Sequence, residues 1–337
     1  MWSPGRIIGL NILILFVGSL CAQAQWTYTP QIGRFINIKS LPRETPELQV
    51  EHARSLLVEG NFSAALSETD KFTNFYGDTD VADENQFVRG EIRFAEEQYV
   101  KAAQEFQQVL VNYPNTELHD RVIERQYDAG DTLFVKGQDR MEKQKKLSLS
   151  PFRKRPFKRA VEVYTLVIDN QPFTEEAAQA QYKIGLCYFT LGDYQSAAVE
   201  YKTVIEDYSD SEWVIEATYG MAKCYSEAAY SSEYDQSNGQ LAINSAAEFE
   251  TLYPEDARVS ELNEISQNMF ERIAEQHLLN AQFYEIRREM YAARIYYETV
   301  TSQFSGTEAA KKAQVWLDEN PPVHGLEATF FNTRNAN

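Results

Sequence analysis

IGLCYFTLGDYQSAAVEYKTVIEDYSDS, residues 184–211, contains one complete structural unit. Gly185 and Tyr188 stand three apart and share one face of a helix. Gly192-Asp193 interrupts that helix and Tyr194 opens the next. Ala197, Tyr201 and Val204 then recur at helical spacing. The small Ala197 lets the two helices approach, and Tyr201 fills the groove behind it. Tyr208 closes the second helix, and Ser209-Asp210-Ser211 supplies a cap for the helix after it.

The same spacing recurs on both sides. Gly90, Gln98-Tyr99, Ala102-Ala103, Phe106, Val109 and Tyr113-Pro114 form one copy; Ala281, Glu289-Met290, Ala293, Tyr297, Val300 and Phe304-Ser305 form another. In all three, 23 positions separate the first small residue from the terminal aromatic. Further copies carry Phe62, Ala65, Phe72 and Tyr76; Phe157, Ala160, Tyr164, Val167 and Gln171; and Met221-Ala222, Tyr225, Ala242, Phe249 and Tyr253-Pro254. The terminal anchors fall at 76, 113, 171, 208, 253 and 304, with two intervals of 37 and three longer ones that hold insertions. An isolated pair of this kind cannot bury its faces, whereas stacked pairs complete one another's core. The fold class expected is therefore all-α, a superhelical solenoid of about six helix pairs over residues 47–319.

Ile184-Gly185, Tyr188, Gly192-Asp193-Tyr194, Ala197 and Tyr201 resemble a tetratricopeptide repeat position by position. Copy two departs from it, with Arg89 and Arg93 at usually apolar sites. The 37-residue step, with terminal Tyr-Pro-Asn-Thr (113–116) and Tyr-Ser-Asp-Ser (208–211), is similar to the exported bacterial BamD-like family, the outer-membrane assembly lipoproteins of the β-barrel assembly machinery. That family typically has five copies. The resemblance implies a periplasmic scaffold, associated with the outer membrane, that receives unfolded outer-membrane proteins and docks on the β-barrel insertase. Within the repeats alone, an envelope coordinator of the Tol-Pal and peptidoglycan-synthesis type is a second reading. A helical-toroid glycan lyase is a third, which needs clustered His, Tyr and Glu in a cleft.

The flanks carry their own signals. Arg6 precedes the apolar run Ile7 to Leu20, and Ala22-Gln23-Ala24 comes next, the order of a signal peptide cleaved after Ala24. Cys21 offers lipid attachment, but Leu20 is a poor residue to precede a lipidated cysteine. Residues 25–46 form an extended lead, after which Thr45 caps a first helix that begins with Pro46. Glu255 to Arg288 has few helix breakers and predicts one long helix. Asn320-Pro321-Pro322 ends the array, leaving a tail over 320–337.

A net charge of −18, from 50 acidic and 32 basic residues, disfavours nucleic acid and anionic lipid unless cations are segregated. One segment segregates them. Around an insertion at 138–156 stand Lys143, Lys145, Lys146, Arg153, Lys154, Arg155, Lys158 and Arg159 with no acidic residue among them. They make a candidate contact for an acidic partner or, beside Phe152 and Phe157, for peripheral membrane. Gln86, Arg89, Arg93, Gln181 and Lys183 are candidates for a concave binding face lined by the first helix of each pair.

No catalytic, cofactor or metal site is expected. His52, His119, His277 and His324 lack a second His or Cys at ligand spacing, and no phosphate loop, nucleophile elbow or zinc-protease motif occurs. Cys187 and Cys224 are 37 apart and so occupy equivalent positions of consecutive copies. Equivalent points on stacked helices lie roughly 8–10 Å apart, beyond the ~7 Å a disulfide spans. Both are expected as buried thiols.

Overall fold

The computed structural model describes residues 26–29, 34–37, 41–143, 154–231 and 237–321. Residues 1–25, with Cys21 and the expected signal peptide, the residues Lys145, Lys146, Phe152 and Arg153, His324 and the tail from 322 lie outside the described residues. The lead contains two short strands, β1 (Trp26–Thr29) and β2 (Arg34–Asn37), which pair antiparallel with Trp26 opposite Asn37. Their β-branched and aromatic residues favour extended backbone. All else that is regular among the described residues is helix.

Two compact units divide the chain, one ending at Lys143 and one beginning at Gln144. The first holds α1 (Pro46–Val58), α2 (Phe62–Tyr76), α3 (Ala82–Ala95), α4 (Tyr99–Asn112) and α5 (His119–Lys143). The second holds α6 (Arg155–Asn170), α7 (Glu175–Leu191), α8 (Tyr194–Asp207), α9 (Trp213–Ser231), α10 (Ser237–Leu252), α11 (Val259–Ile286), α12 (Met290–Gln303) and α13 (Glu308–Glu319). Within each unit every helix packs mainly on its neighbours in sequence, as a stack of α-hairpins does.

The starts obey the expected chemistry. Thr45 accepts from Leu48 N at 3.3 Å with Pro46 first in α1; Thr174 caps α7, Asp193 caps α8 and Thr307 caps α13 in the same manner. The unbroken stretch after Glu255 is the 28-residue α11. Helix α13 ends at Glu319, one residue before Asn320.

The cores are shared seams. Ala197, Tyr201 and Val204 of α8 bury themselves with Ala217 and Cys224 of α9. Phe249 of α10 joins Ala222 of α9 and Leu262 of α11. In the first unit, Phe106 and Val109 of α4 meet Phe87 of α3 and Val122 of α5. The approach is close around Tyr201. A Cβ added to Gly185 of α7 would lie 2.6 Å from the Tyr201 ring, and one added to Gly220 of α9 would lie 2.8 Å from it. The ring is thus seated between two helices that carry no side chain where it passes. Cys187 and Cys224 are buried and form no disulfide. Burial, with Glu227 adding to it, pushes the Cys224 thiol up to about 12.

The turn inside four of the hairpins repeats a backbone conformation that the residues do not. Gly60 (φ +77), Glu97 (φ 61), Gly192 (φ +79) and Arg288 (φ 59) each stand seven positions after the small residue of their copy: Ala53, Gly90, Gly185 and Ala281. Two copies place a side chain in the left-handed region, which disfavours L-residues by roughly 1–2 kcal/mol. Arg288→Gly is accordingly expected to raise stability by about 1 kcal/mol, since glycine relieves that strain but loses more chain entropy on folding. Urea unfolding measures it; an unchanged or lower midpoint would mean the turn is not strained.

Candidate functional site

The polar face of the first unit is built on α3. Gln86, Arg89 and Arg93 lie three and four apart, so they form one row. The row turns toward Glu105 on α4. Gln86 Nε2 donates to the Glu105 main-chain oxygen at 3.0 Å and to Oε2 at 2.8 Å. Arg89 Nε donates to Glu105 Oε1 at 3.2 Å, and its Nη1 pairs with Asp70 of α2. Arg93 Nη1 donates to Glu96 at 3.0 Å, while its Nε stands 4.0 Å from Glu105 and is buried without a hydrogen bond. Burial pulls the Arg89 pKa down, but the carboxylates of Asp70 and Glu105 outweigh it, so the net shift is upward. These three candidates come together, tethered inside the hairpin stack.

Gln181 has the same role in the second unit. It is 8% exposed and donates to Glu200 Oε2 on α8. Burial raises the Glu200 pKa, and the bond from Gln181 opposes it. Lys183 lies half-buried on α7. A third tie is one that sequence reasoning missed. The fully buried Gln49 donates to the Glu68 main-chain oxygen at 2.9 Å and to Oε2 at 2.8 Å. The signal was present: Gln49, Gln86 and Gln181 each stand four before the small residue of their copy, and Glu68, Glu105 and Glu200 each come nineteen later. Each glutamine satisfies a main-chain carbonyl or a carboxylate across its hairpin, which a buried amide requires. In the last copy the position is His277, whose Nδ1 is buried without a partner and whose pKa burial lowers.

The described basic residues divide between the two units. Lys143 ends α5, exposed, with Nζ 4.0 Å from Asp139. Lys154, Arg155, Lys158 and Arg159 are exposed at the start of α6. Among the described residues no carboxylate lies within ion-pair distance of Arg155, Lys158 or Arg159. The aromatic expected beside them is elsewhere: Phe157 is 0% exposed, since its place in the helix turns it into the seam with α7. It offers no membrane-inserting side chain.

Beside these cations lies a cleft of about 470 Å³, lined by Lys154, Lys158, Val161, Tyr188, Leu191 and Asp193. Lys154, Lys158 and Val161 form one wall along α6. Tyr188 and Leu191 end α7 opposite them, and Asp193 begins the next helix. Lys154 Nζ donates to the Leu191 carbonyl at 2.6 Å, which ties the start of α6 to the end of α7. Burial raises the Tyr188 hydroxyl pKa, with Glu200 and Asp193 adding to it.

Where α9, α10 and α11 meet, the Asp256 carboxyl is held down at about 2 by hydrogen bonds from the Arg258 side chain and main chain. Arg258 also pairs with Glu216 at 2.8 Å and lies 5.0 Å from the Tyr219 ring centroid. This anchor orders the loop before α11. His52 pairs with Arg43 at 2.8 Å, and His119 Nδ1 stands 3.6 Å from Asp120. Among the described residues no three His, Cys, Asp or Glu converge on a metal position. No described helix is long and apolar enough to cross a membrane.

Three comparisons bear on this architecture. A tetratricopeptide repeat model matches residues 84–116, the α3–α4 hairpin. Among solved structures, a tetratricopeptide repeat protein from Parabacteroides merdae shares 13% identity over 80% of this chain and 96% of its own, with a TM-score of 0.32. The C-terminal part of one from Cytophaga hutchinsonii shares 13% over 80% and 88%, at 0.36. One from Thermus thermophilus shares 13% over 67% and 98%, at 0.31. No curated protein matches significantly. Tetratricopeptide modules are protein-binding scaffolds and are generally non-catalytic. A family model described as "Outer membrane lipoprotein" matches residues 148–334, more than half of the chain and nearly all of the second unit, so the chain belongs to the YfiO family.

Proposed function

We propose that this chain is a non-catalytic scaffold of the bacterial cell envelope, acting as BamD does in outer-membrane β-barrel protein assembly. The observation that carries this reading is the family match over residues 148–334, which falls on the hairpins α6 to α13. Stacked hairpins give a large preformed surface. Such a surface holds a polypeptide through many modest contacts with little ordering cost. The row Gln86, Arg89 and Arg93 is pre-organised in this sense, since Glu105, Asp70 and Glu96 hold its side chains before any partner arrives. Exposed Leu279, Phe283 and Ile286 on α11 add apolar contacts four and three residues apart.

The chain is proposed to work at the periplasmic face of the outer membrane. The family description favours lipid attachment at Cys21 over loss of that residue by cleavage after Ala24; the mass of the mature N-terminus distinguishes the two. The functional test uses the full chain and a urea-unfolded outer-membrane barrel protein. The scaffold is expected to bind it and delay its aggregation on dilution, and crosslinking in envelopes is expected to recover the barrel insertase. Absence of both results, with synthases or Tol components recovered instead, would overturn the assignment.

A further inference from the structure

We propose that the cleft between α6 and the α7–α8 turn is a docking site for an extended segment of a partner protein that alternates acidic and apolar side chains. This rests on the scaffold reading and specifies one site within it.

The first observation is charge. Lys154 stands at the N-cap of helix α6, Arg155, Lys158 and Arg159 follow within it, and its first turn has no acidic residue. Cations at a helix N-terminus oppose the macrodipole. In a chain of net charge −18, carboxylates to neutralise them are plentiful. Yet among the described residues Arg155, Lys158 and Arg159 have none within ion-pair distance, and Lys154 directs one N–H to the Leu191 carbonyl. An ammonium has three donors, so Lys154 is fixed in position with others still to give.

The second observation is shape. Two of the four cations, Lys154 and Lys158, line a concavity. Its volume of about 470 Å³ lies within the range of sites that enclose a ligand. Val161, Leu191 and the Tyr188 ring supply apolar lining between the lysines and Asp193. Asp193 already accepts from Ser196 N at 3.2 Å as the cap of α8, which limits its opposition to an incoming carboxylate. An extended strand projects successive side chains to opposite sides. A carboxylate on Lys158 and a neighbouring apolar side chain against Val161 and Leu191 therefore suit one such segment.

A bilayer fits less well. The one described aromatic of the basic segment, Phe157, is buried, and a concavity cannot follow a lipid surface. The remaining surface, strongly acidic in sum, repels anionic head groups.

The test measures fluorescence anisotropy of a fluorescein-labelled peptide of alternating aspartate and leucine titrated with the full chain. Parallel probes are an aspartate–serine peptide and phosphatidylglycerol vesicles. Lys158→Glu is expected to weaken the aspartate–leucine peptide by about five-fold or more, as loss of a rim charge with reversal does. Lys312→Glu, an equal charge change on α13, is expected to alter it by less than about two-fold. The aspartate–serine peptide is expected to bind more weakly than the leucine one. Circular dichroism melting identifies any variant that fails to fold, in which case Lys158→Ser replaces it. Equal affinity of the Lys158 variant and the parent, equal losses in both charge variants, no peptide binding, or Lys158-dependent binding of vesicles alone each overturns the proposal. Where one of these outcomes is seen and the parent chain still binds the unfolded barrel protein, only the cleft assignment falls and the scaffold reading stands.

Discussion

Tyr201→Ala is expected to destabilise the second unit by about 3–5 kcal/mol, the range for deleting a fully enclosed aromatic. Tyr201 is 2% exposed and bridges two hairpins, resting against Gly185 of its own and Gly220 of the next. Its ring also meets Tyr182 at 5.5 Å, which in turn stacks on Trp213 at 5.1 Å. Removing it opens a space that the two glycines cannot fill. The helices α7, α8 and α9 then lose their common surface together. Tyr201→Phe keeps the ring and is expected to cost less than about 1.5 kcal/mol, as volume-conserving exchanges do. Urea unfolding monitored by far-ultraviolet circular dichroism measures both. If Tyr201→Ala shifts the midpoint no more than Tyr201→Phe, the seam between hairpins is not what holds the stack.

That seam was legible because burial imposes a period. Gly185, Tyr188, Ala197 and Tyr201 recur with the helix turn, and the same register at Gly90 and Ala281 gave the array, its caps and the long α11. The two paired strands within the lead were not legible, since an extended stretch alone does not name its partner. The polar ties were written in the sequence but do not announce themselves. Gln49, Gln86 and Gln181 look like surface amides until the second helix brings Glu68, Glu105 and Glu200 across the hairpin. The left-handed turn at Glu97 and Arg288 was hidden for the opposite reason: tertiary packing overrides a local preference that the glycines of the other copies display. Phe157 carries two readings, a packing position of its repeat and an aromatic among cations; the first holds, since one residue of helical rotation separates an exposed lysine from a core aromatic. The cleft depends on where α6 lies against the end of α7, a tertiary fact with no local signature.

Glu105→Ala is expected to cost the first unit about 2–3 kcal/mol, from donors of Gln86 and Arg89 left unsatisfied and a carboxylate lost between two half-buried guanidiniums that keep only Asp70 and Glu96. Three side chains of α3 depend on this carboxylate. Gln86 and Arg89 donate to it, and Arg93 lies within 4.0 Å. The guanidinium side chains of Arg89 and Arg93 are only 26% and 22% exposed, so water replaces the lost partner incompletely. The figure is set below the roughly 3–5 kcal/mol of a fully buried pair for that residual exposure. Glu105→Gln keeps an oxygen acceptor but brings two further donors toward a row of donors, and about 1–2 kcal/mol is expected. Raising salt should narrow the gap between Glu105→Ala and the parent only slightly, because partly buried pairs are weakly screened. Guanidinium chloride is itself a salt, so urea is the denaturant to use. A Glu105→Ala chain as stable as the parent would mean that Asp70, Glu96 and solvent satisfy Arg89 and Arg93 without it. The tie to Glu105 would then not be what fixes the polar row of α3, and the preformed surface assumed for partner binding would lose that support.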